Sequence, residues 1–134
     1  AGVCDGLEFG DNAKAALLTR GLREMVRMGV GLGANAQTFS GLAGMGDLIV
    51  TSYSRHSRNR RCGEALGRGK TLEEARREIG MAIEGIGTAR EAARIAQEGR
   101  MSLPICEAAL AILEGRLSPH EAVERLMTRD PKPE

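Results

Sequence analysis

Asp11-Asn12-Ala13-Lys14-Ala15-Ala16-Leu17-Leu18-Thr19-Arg20-Gly21-Leu22-Arg23-Glu24-Met25-Val26 is the run from which the fold class follows. Asp11-Asn12 brings helix-cap chemistry, because short polar side chains accept from the backbone N–H groups left free at a helix start. Leu18, Leu22, Met25, Val26 and Gly29 then recur at the spacing of one buried helical face. Lys14, Arg20, Arg23, Glu24 and Arg27 fall mostly on the other side, where solvent is expected. Gly31, Gly33 and Asn35 loosen or end this helix.

Working outward, Ala1 to Gly10 is Gly-rich, opens without Met, and reads as a cut edge rather than a natural start. Downstream, Asn35 caps a short helix through Phe39, which Gly41 and Gly44 break. Met45 to Thr51 is expected as a further short helix and Tyr53 to Ser57 as a loop. Ser57 caps a helix to Leu66, closed by Gly67 and Gly69. Thr71-Leu72-Glu73-Glu74 and Ser118-Pro119-His120-Glu121 both match the capping box, and the first of these helices ends near Gly80. A helix opened by Glu84-Gly85 carries a small-residue face at Ala89, Ala92, Ala93 and Ala96 and stops at Gly99. Pro104 starts another, with Ala108, Ala109, Ile112 and Leu113 inward. Val123, Leu126 and Met127 carry the last, and Thr128 to Glu134 is expected as a frayed tail.

No stretch alternates apolar and polar residues over a strand's length. The expected fold is therefore all-α, a compact bundle of six to eight helices in a single domain spanning residues 1–134. The near absence of aromatics (one Tyr, two Phe, no Trp) leaves a core of Leu, Ile, Val, Ala and Met. A net charge of +1 excludes a strongly basic nucleic-acid binder as a global reading. No apolar run reaches a bilayer span, so the chain reads as cytoplasmic with no membrane partner. Cys4, Cys62 and Cys106 are odd in number and lack C-x-x-C spacing, which favours free buried thiols over a disulfide framework or a metal site.

The chemistry concentrates between Gly44 and Gly63, G-M-G-D-L-I-V-T-S-Y-S-R-H-S-R-N-R-R-C-G. Arg58-Asn59 suits an anionic oxygen cluster, since guanidinium is a planar fork of donors and the neighbouring amide adds more. Asp47, acceptor-only when ionised, repels phosphate but can hold a hydroxyl. That asymmetry points to a small phosphorylated polyol. Arg60 and Arg61 read as surface residues, and His56 as an ordinary loop histidine. Gly29-Val30-Gly31-Leu32-Gly33 follows a helix, so it is no dinucleotide loop. Two rival readings remain: a helical nucleic-acid module using the Arg55–Lys70 cluster, and a protein-interaction module packing its alanine face on a partner.

Asp5-Gly6-Leu7, Phe9 to Leu17, Thr19-Arg20-Gly21-Leu22, Gly41 to Leu48, Ser57-Arg58-Asn59-Arg60-Arg61 and Glu84-Gly85 with Thr88 together resemble the bacterial NAD(P)-dependent glycerol-3-phosphate dehydrogenase family, in its C-terminal substrate-binding domain. The resemblance implies a helical domain like that of 6-phosphogluconate dehydrogenase-like enzymes, joined to an N-terminal Rossmann NAD(P) domain absent from this chain. It implies hydride transfer between glycerol-3-phosphate and dihydroxyacetone phosphate, for glycerophospholipid precursors. Asp47, Thr51, Ser57, Arg58 and Asn59 are the implied substrate contacts, with Asp47 supporting a general-base Lys that lies before Ala1. Arg58, Ala82 and Glu84 are the implied NAD or NADP contacts, and no metal is implied. The fragment alone is expected to be inactive, and a homodimer is compatible with the resemblance. The chain departs from the family at Glu8, where Gly is common, and at Tyr53 to His56.

Overall fold

The computed structural model describes residues 1–128. In chain order the elements are α1 (Gly2–Gly6), α2 (Asp11–Gly31), a 3-10 turn (Ala36–Ser40), a π-type turn (Leu42–Gly46), α3 (Asp47–Tyr53), α4 (Arg58–Gly67), α5 (Leu72–Ile79), α6 (Glu84–Glu98), α7 (Pro104–Leu113) and α8 (Pro119–Met127). No strand occurs among the described residues. The all-α expectation therefore holds, and α4 is the hub, packed against α1, α3, α5, α6 and α8. The expected tail beyond Thr128 lies outside the described residues.

Several helix starts obey local chemistry. Ser57, Thr71 and Ser118 each accept a backbone N–H from the third helical residue, and the last two close full capping boxes with Glu74 and Glu121. Asn35 caps the 3-10 turn through Gln37 N–H. α5 ends at Gly80 in the left-handed region (φ 65°), which only glycine adopts without strain. Asp11 is not the cap of α2; Gly10 holds that position, and Asp11 sits in the first turn, where the helix dipole favours a carboxylate. Glu8 has φ 59°, in the left-handed region. A glycine there would adopt this backbone without strain.

The core is aliphatic. Cys62 and Leu66 of α4 pack with Ala75 and Ile79 of α5, and Leu72, Ile83, Ile112 and Leu113 close around them. In α7 the buried residue is Ala111 while Ala109 is exposed, and in α8 it is Ala122 while Met127 is 73% exposed. Ile112 and Leu113 pack inward as expected, while Ala111 and Ala122, the most buried residues of their helices, mark the closest helix approach.

Two further expectations are corrected, and the glycine-rich start gains a structural role. The glycine-rich start forms α1, packed on α4 at backbone distance. A Cβ added at Gly2 would lie 2.0 Å from the Arg60 carbonyl oxygen, and one at Gly67 would lie 2.5 Å from that of Val3. Gly67 is therefore a packing residue as well as a helix end. Gly44 does not break a helix; it is buried in the π-type turn, where a Cβ would meet the Phe39 backbone at 2.3 Å. The following helix begins at Asp47 and runs through Tyr53. Finally, Lys14 and Glu24 are only 4% and 8% exposed, not solvated. Lys14 Nζ donates to both Asp5 oxygens at 2.8 and 3.0 Å, and Glu24 accepts from Ile105 N–H (2.7 Å) and Cys106 N–H (3.1 Å). Glu24 is thus a remote cap for α7, supplying acceptors that Leu103 and Pro104 cannot. Burial raises its carboxyl pKa, opposed by those two N–H groups.

Gly67→Ala should lower the thermal midpoint, at a cost of about 1–3 kcal/mol for overpacking against a backbone that cannot retreat. Gly21→Ala, in α2 with nothing within 4 Å of the added Cβ, should instead raise stability by about 0.5–1 kcal/mol. Parallel thermal melts check the opposite signs.

The capping boxes also set an acid limit. The Thr71 N–H, then its hydroxyl, holds Glu74 below its ordinary 4.5, and the Ser118 hydroxyl, then its N–H, lowers Glu121. A carboxylate with a lowered folded-state pKa stabilises above the unfolded value and loses that contribution as pH falls through the folded one. Melts recorded from neutral pH to below 4.5 should show a shallower loss for Glu74→Gln/Glu121→Gln than for the wild type. Equal slopes would remove the boxes from the acid response.

Candidate functional site

Helices α3 and α4 meet at a tight turn. Ser57 N–H donates to the Ser54 carbonyl, and His56 N–H to the Ser54 hydroxyl, both at 3.2 Å. Ser57 then caps α4 by accepting from Arg60 N–H at 3.2 Å, which leaves its own hydroxyl proton to donate outward. The N–H groups of Arg58 and Asn59 belong to the first turn and have no intrahelical acceptor. The cap and the turn therefore aim donors at one point.

The start of α6 faces this point. Arg58 Nη2 donates to Glu84 Oε1 at 2.8 Å, and Asn59 Oδ1 accepts from Gly85 N–H at 2.9 Å. Two helix N-termini, each with positive dipole ends, are laced together across a gap. Between them lies an open groove of about 350 Å3, walled by Thr51, His56, Ser57, Arg58, Asn59 and Glu84. Glu84 is the only carboxylate in that wall. The Asn59 carbonyl is engaged, so its amide N–H2 is free to donate.

The structure brings Thr51, Ser57, Arg58, Asn59 and Glu84 together from three helices. Asp47 does not line the groove. It is the exposed first residue of α3, one helical turn before Thr51 and so on the same face. Ala82 is likewise outside, in a neighbouring groove of about 520 Å3 with Arg76, Ile83 and Arg90. Ile83 and Glu84 join the two grooves. His56, expected as an ordinary loop histidine, lines the site, and only the serines flanking it at 54 and 57 hinted at so tight a turn. Arg61 is exposed as expected, but Arg60 is not. Its side chain is 18% exposed, with Nε 2.7 Å from Asp5 Oδ2. The Nε–H misses the hydrogen-bonding line, so that contact is ionic.

The cysteines are free, as expected, with Cys4 and Cys62 buried and Cys106 partly so. Desolvation pushes all three thiols above their ordinary range, which makes them packing residues rather than nucleophiles.

Residues 1–124 match the family model of the NAD-dependent glycerol-3-phosphate dehydrogenase C-terminus. The glycerol-3-phosphate dehydrogenase [NAD(P)+] of Thermoanaerobacter sp. (strain X514) is 55% identical over all 134 residues, which cover 41% of that protein. That of Desulfitobacterium hafniense (strain Y51) is 52% identical, with 100% of this chain and 38% of the relative aligned. A 2.1 Å crystal structure of glycerol-3-phosphate dehydrogenase from Coxiella burnetii superposes with a TM-score of 0.92 at 44% identity, over 96% of this chain and 39% of that one. The chain spans about two fifths of the length of the curated relatives it matches. With its helical fold and the groove at the α3–α4 turn, this chain belongs to the NAD-dependent glycerol-3-phosphate dehydrogenase family, of which it is the C-terminal part.

Proposed function

We propose that this chain is the substrate-binding domain of a cytoplasmic dehydrogenase that interconverts glycerol-3-phosphate and dihydroxyacetone phosphate with NAD or NADP, supplying glycerophospholipid precursors. The observation that carries the reading is the donor cluster at the start of α4. There Arg58 is held by Glu84, and Asn59 by Gly85. Helix N-termini with free N–H groups and a guanidinium fork are suited to phosphate. An exposed ion pair such as Arg58–Glu84 is worth under about 1 kcal/mol, so a dianion can share or displace it at little cost. Asp47 and Thr51, on one face of α3, take the polyol hydroxyls.

Residues beside this seat fit a nicotinamide dinucleotide. Glu84 accepts and Arg58 donates where the grooves join, and the small Ala82 leaves its groove open between Arg76 and Arg90. The bound dinucleotide supplies the hydride acceptor. Asp47 orients the reacting hydroxyl and the general-base Lys contributed by the sequence before Ala1. Phosphate held by Arg58, Ser57 and Asn59 positions that hydroxyl from a distance, so binding energy is used for orientation. The Rossmann domain preceding Ala1 closes over the groove.

Ion pairing takes up most of the charge that the nucleic-acid alternative needs. Within Arg55–Lys70, Arg58, Arg60, Arg68 and Lys70 are paired with Glu84, Asp5, Glu64 and Glu78. The alanine face of α6 is also used inside the domain, against α7.

In the full-length protein, Arg58→Lys keeps the charge but loses the fork. Losing a charged hydrogen bond costs about 1.5–3 kcal/mol, roughly ten- to a hundredfold in kcat/KM for glycerol-3-phosphate. Arg61→Lys should be silent. With glycerol, which lacks the phosphate, the Arg58→Lys penalty should shrink sharply. Equal penalties on both substrates would return Arg58 to the solvated surface.

Gly85→Ala tests the Asn59 arm. The new Cβ would lie 2.7 Å from Asn59 Oδ1, forcing the amide off its seat. KM for glycerol-3-phosphate should rise severalfold while the melt changes little, as read by steady-state kinetics beside calorimetry.

A further inference from the structure

Away from the groove, one charged cluster ties the two site helices to a common support. Asp5 of α1 sits among three elements. Lys14 of α2 donates to both its oxygens, and Arg60 of α4 lies 2.7 Å from Oδ2. The buried Lys14 ammonium also stands 4.2 Å from the centroid of the Tyr53 ring, at the end of α3. Tyr53 is the residue before the turn that ends at Ser57, and Arg60 is the residue whose N–H the Ser57 cap accepts. Each flank of the site turn is thus tethered to one carboxylate: α3 through the Tyr53 face and Lys14, α4 through Arg60.

We infer that Lys14, with Asp5, Arg60 and Tyr53, is a positioning residue that sets the α3-to-α4 geometry and hence the spacing between the hydroxyl end (Asp47, Thr51) and the phosphate end (Arg58, Asn59). The inference rests on the proposed substrate seat for its kinetic consequence, though not for its structural one. The physical case is that no apolar packing alone fixes this junction. Tyr53 and Ile49 are about half-exposed and Val50 is 66% exposed, so α3 is not clamped on that side by a core. A cation over an aromatic face is directional and strengthens when desolvated, and Lys14 is almost fully desolvated. Removing the ammonium leaves Asp5 with Arg60 alone and Tyr53 with no cation. Lys14 contacts none of the groove residues and acts only through the others.

Glu24 supplies the control. It is a second buried charge on the same helix, but it caps α7 and leaves the α3–α4 turn alone. Three full-length variants are compared: Lys14→Met, Lys14→Arg and Glu24→Ala. Hydrogen exchange of the Ser54–Asn59 amides should speed up in Lys14→Met, remain as in wild type in Glu24→Ala, and recover in Lys14→Arg, which retains both charge and ring contact. In steady-state kinetics, Lys14→Met should lower kcat/KM for glycerol-3-phosphate by about tenfold or more, as misplacement of reacting groups does. Glu24→Ala should lower the melting temperature without that loss. Unchanged exchange at Ser54–Asn59 in Lys14→Met overturns the inference whatever the activity, and so does an equal kinetic loss in Glu24→Ala. The wild-type rate in the same assay judges the functional proposal separately.

Discussion

Gly2 and Gly6 of α1 lie so close to α4 that a Cβ on either would sit 2.0 to 2.3 Å from a carbonyl oxygen, and Gly63 and Gly67 answer from the other side at 2.9 and 2.5 Å. Two helices can approach this nearly only when the facing positions are empty of side chains, and dispersion between backbones then replaces the usual interlocking of side chains. A five-residue helix such as α1 has no stability of its own, because nucleation is costly and few bonds follow it. It persists because α4 holds it. In return, α1 delivers Asp5 to the interior, where the paired cations Lys14 and Arg60 converge.

Ionic groups inside this small domain follow one rule: each is matched before it is buried. Lys14 has a carboxylate and an aromatic face, and Glu24 has two backbone N–H groups at a helix start that lacks its own cap. An unmatched charge in either place would be strongly destabilising. In an aliphatic core with so few aromatics, such pairs supply direction that Leu, Ile and Ala do not. They fix which turn of one helix meets which turn of another.

The groove at the α3–α4 turn is polar and open, with donors from two helix starts and a single acid in its wall. Phosphate recognition suits such a place, since charge-assisted hydrogen bonds retain strength at a partly solvated helix terminus. Hydride transfer needs water excluded from the reacting carbon. On the proposed reading, the two tasks are divided between this domain, which seats the anion, and the sequence preceding it, which covers the seat.

Local chemistry in the sequence determined the helices that carry their own caps. Ser57, Thr71 with Glu74, Ser118 with Glu121, Pro104, and the stop at Gly80 were legible because each signal and its partner lie within four residues. The groove residues Thr51, Ser57, Arg58, Asn59 and Glu84 were legible too, through side-chain chemistry and the family resemblance rather than through spacing. Tertiary structure alone decided the rest. Lys14 and Glu24 sit on the polar face by periodicity, yet their partners come from Asp5, Tyr53 and the start of α7, up to 82 residues away. Gly67 reads locally as a helix end only, and the packing of Gly2, Gly6 and Gly63 has no local signal, because a missing side chain reveals its purpose only when another backbone fills the space. Arg60 and Arg61 are adjacent, identical in type and indistinguishable in sequence. One points to Asp5 and the other to solvent, because a helix turns about 100° between neighbours and only the packing of α4 says which side is in.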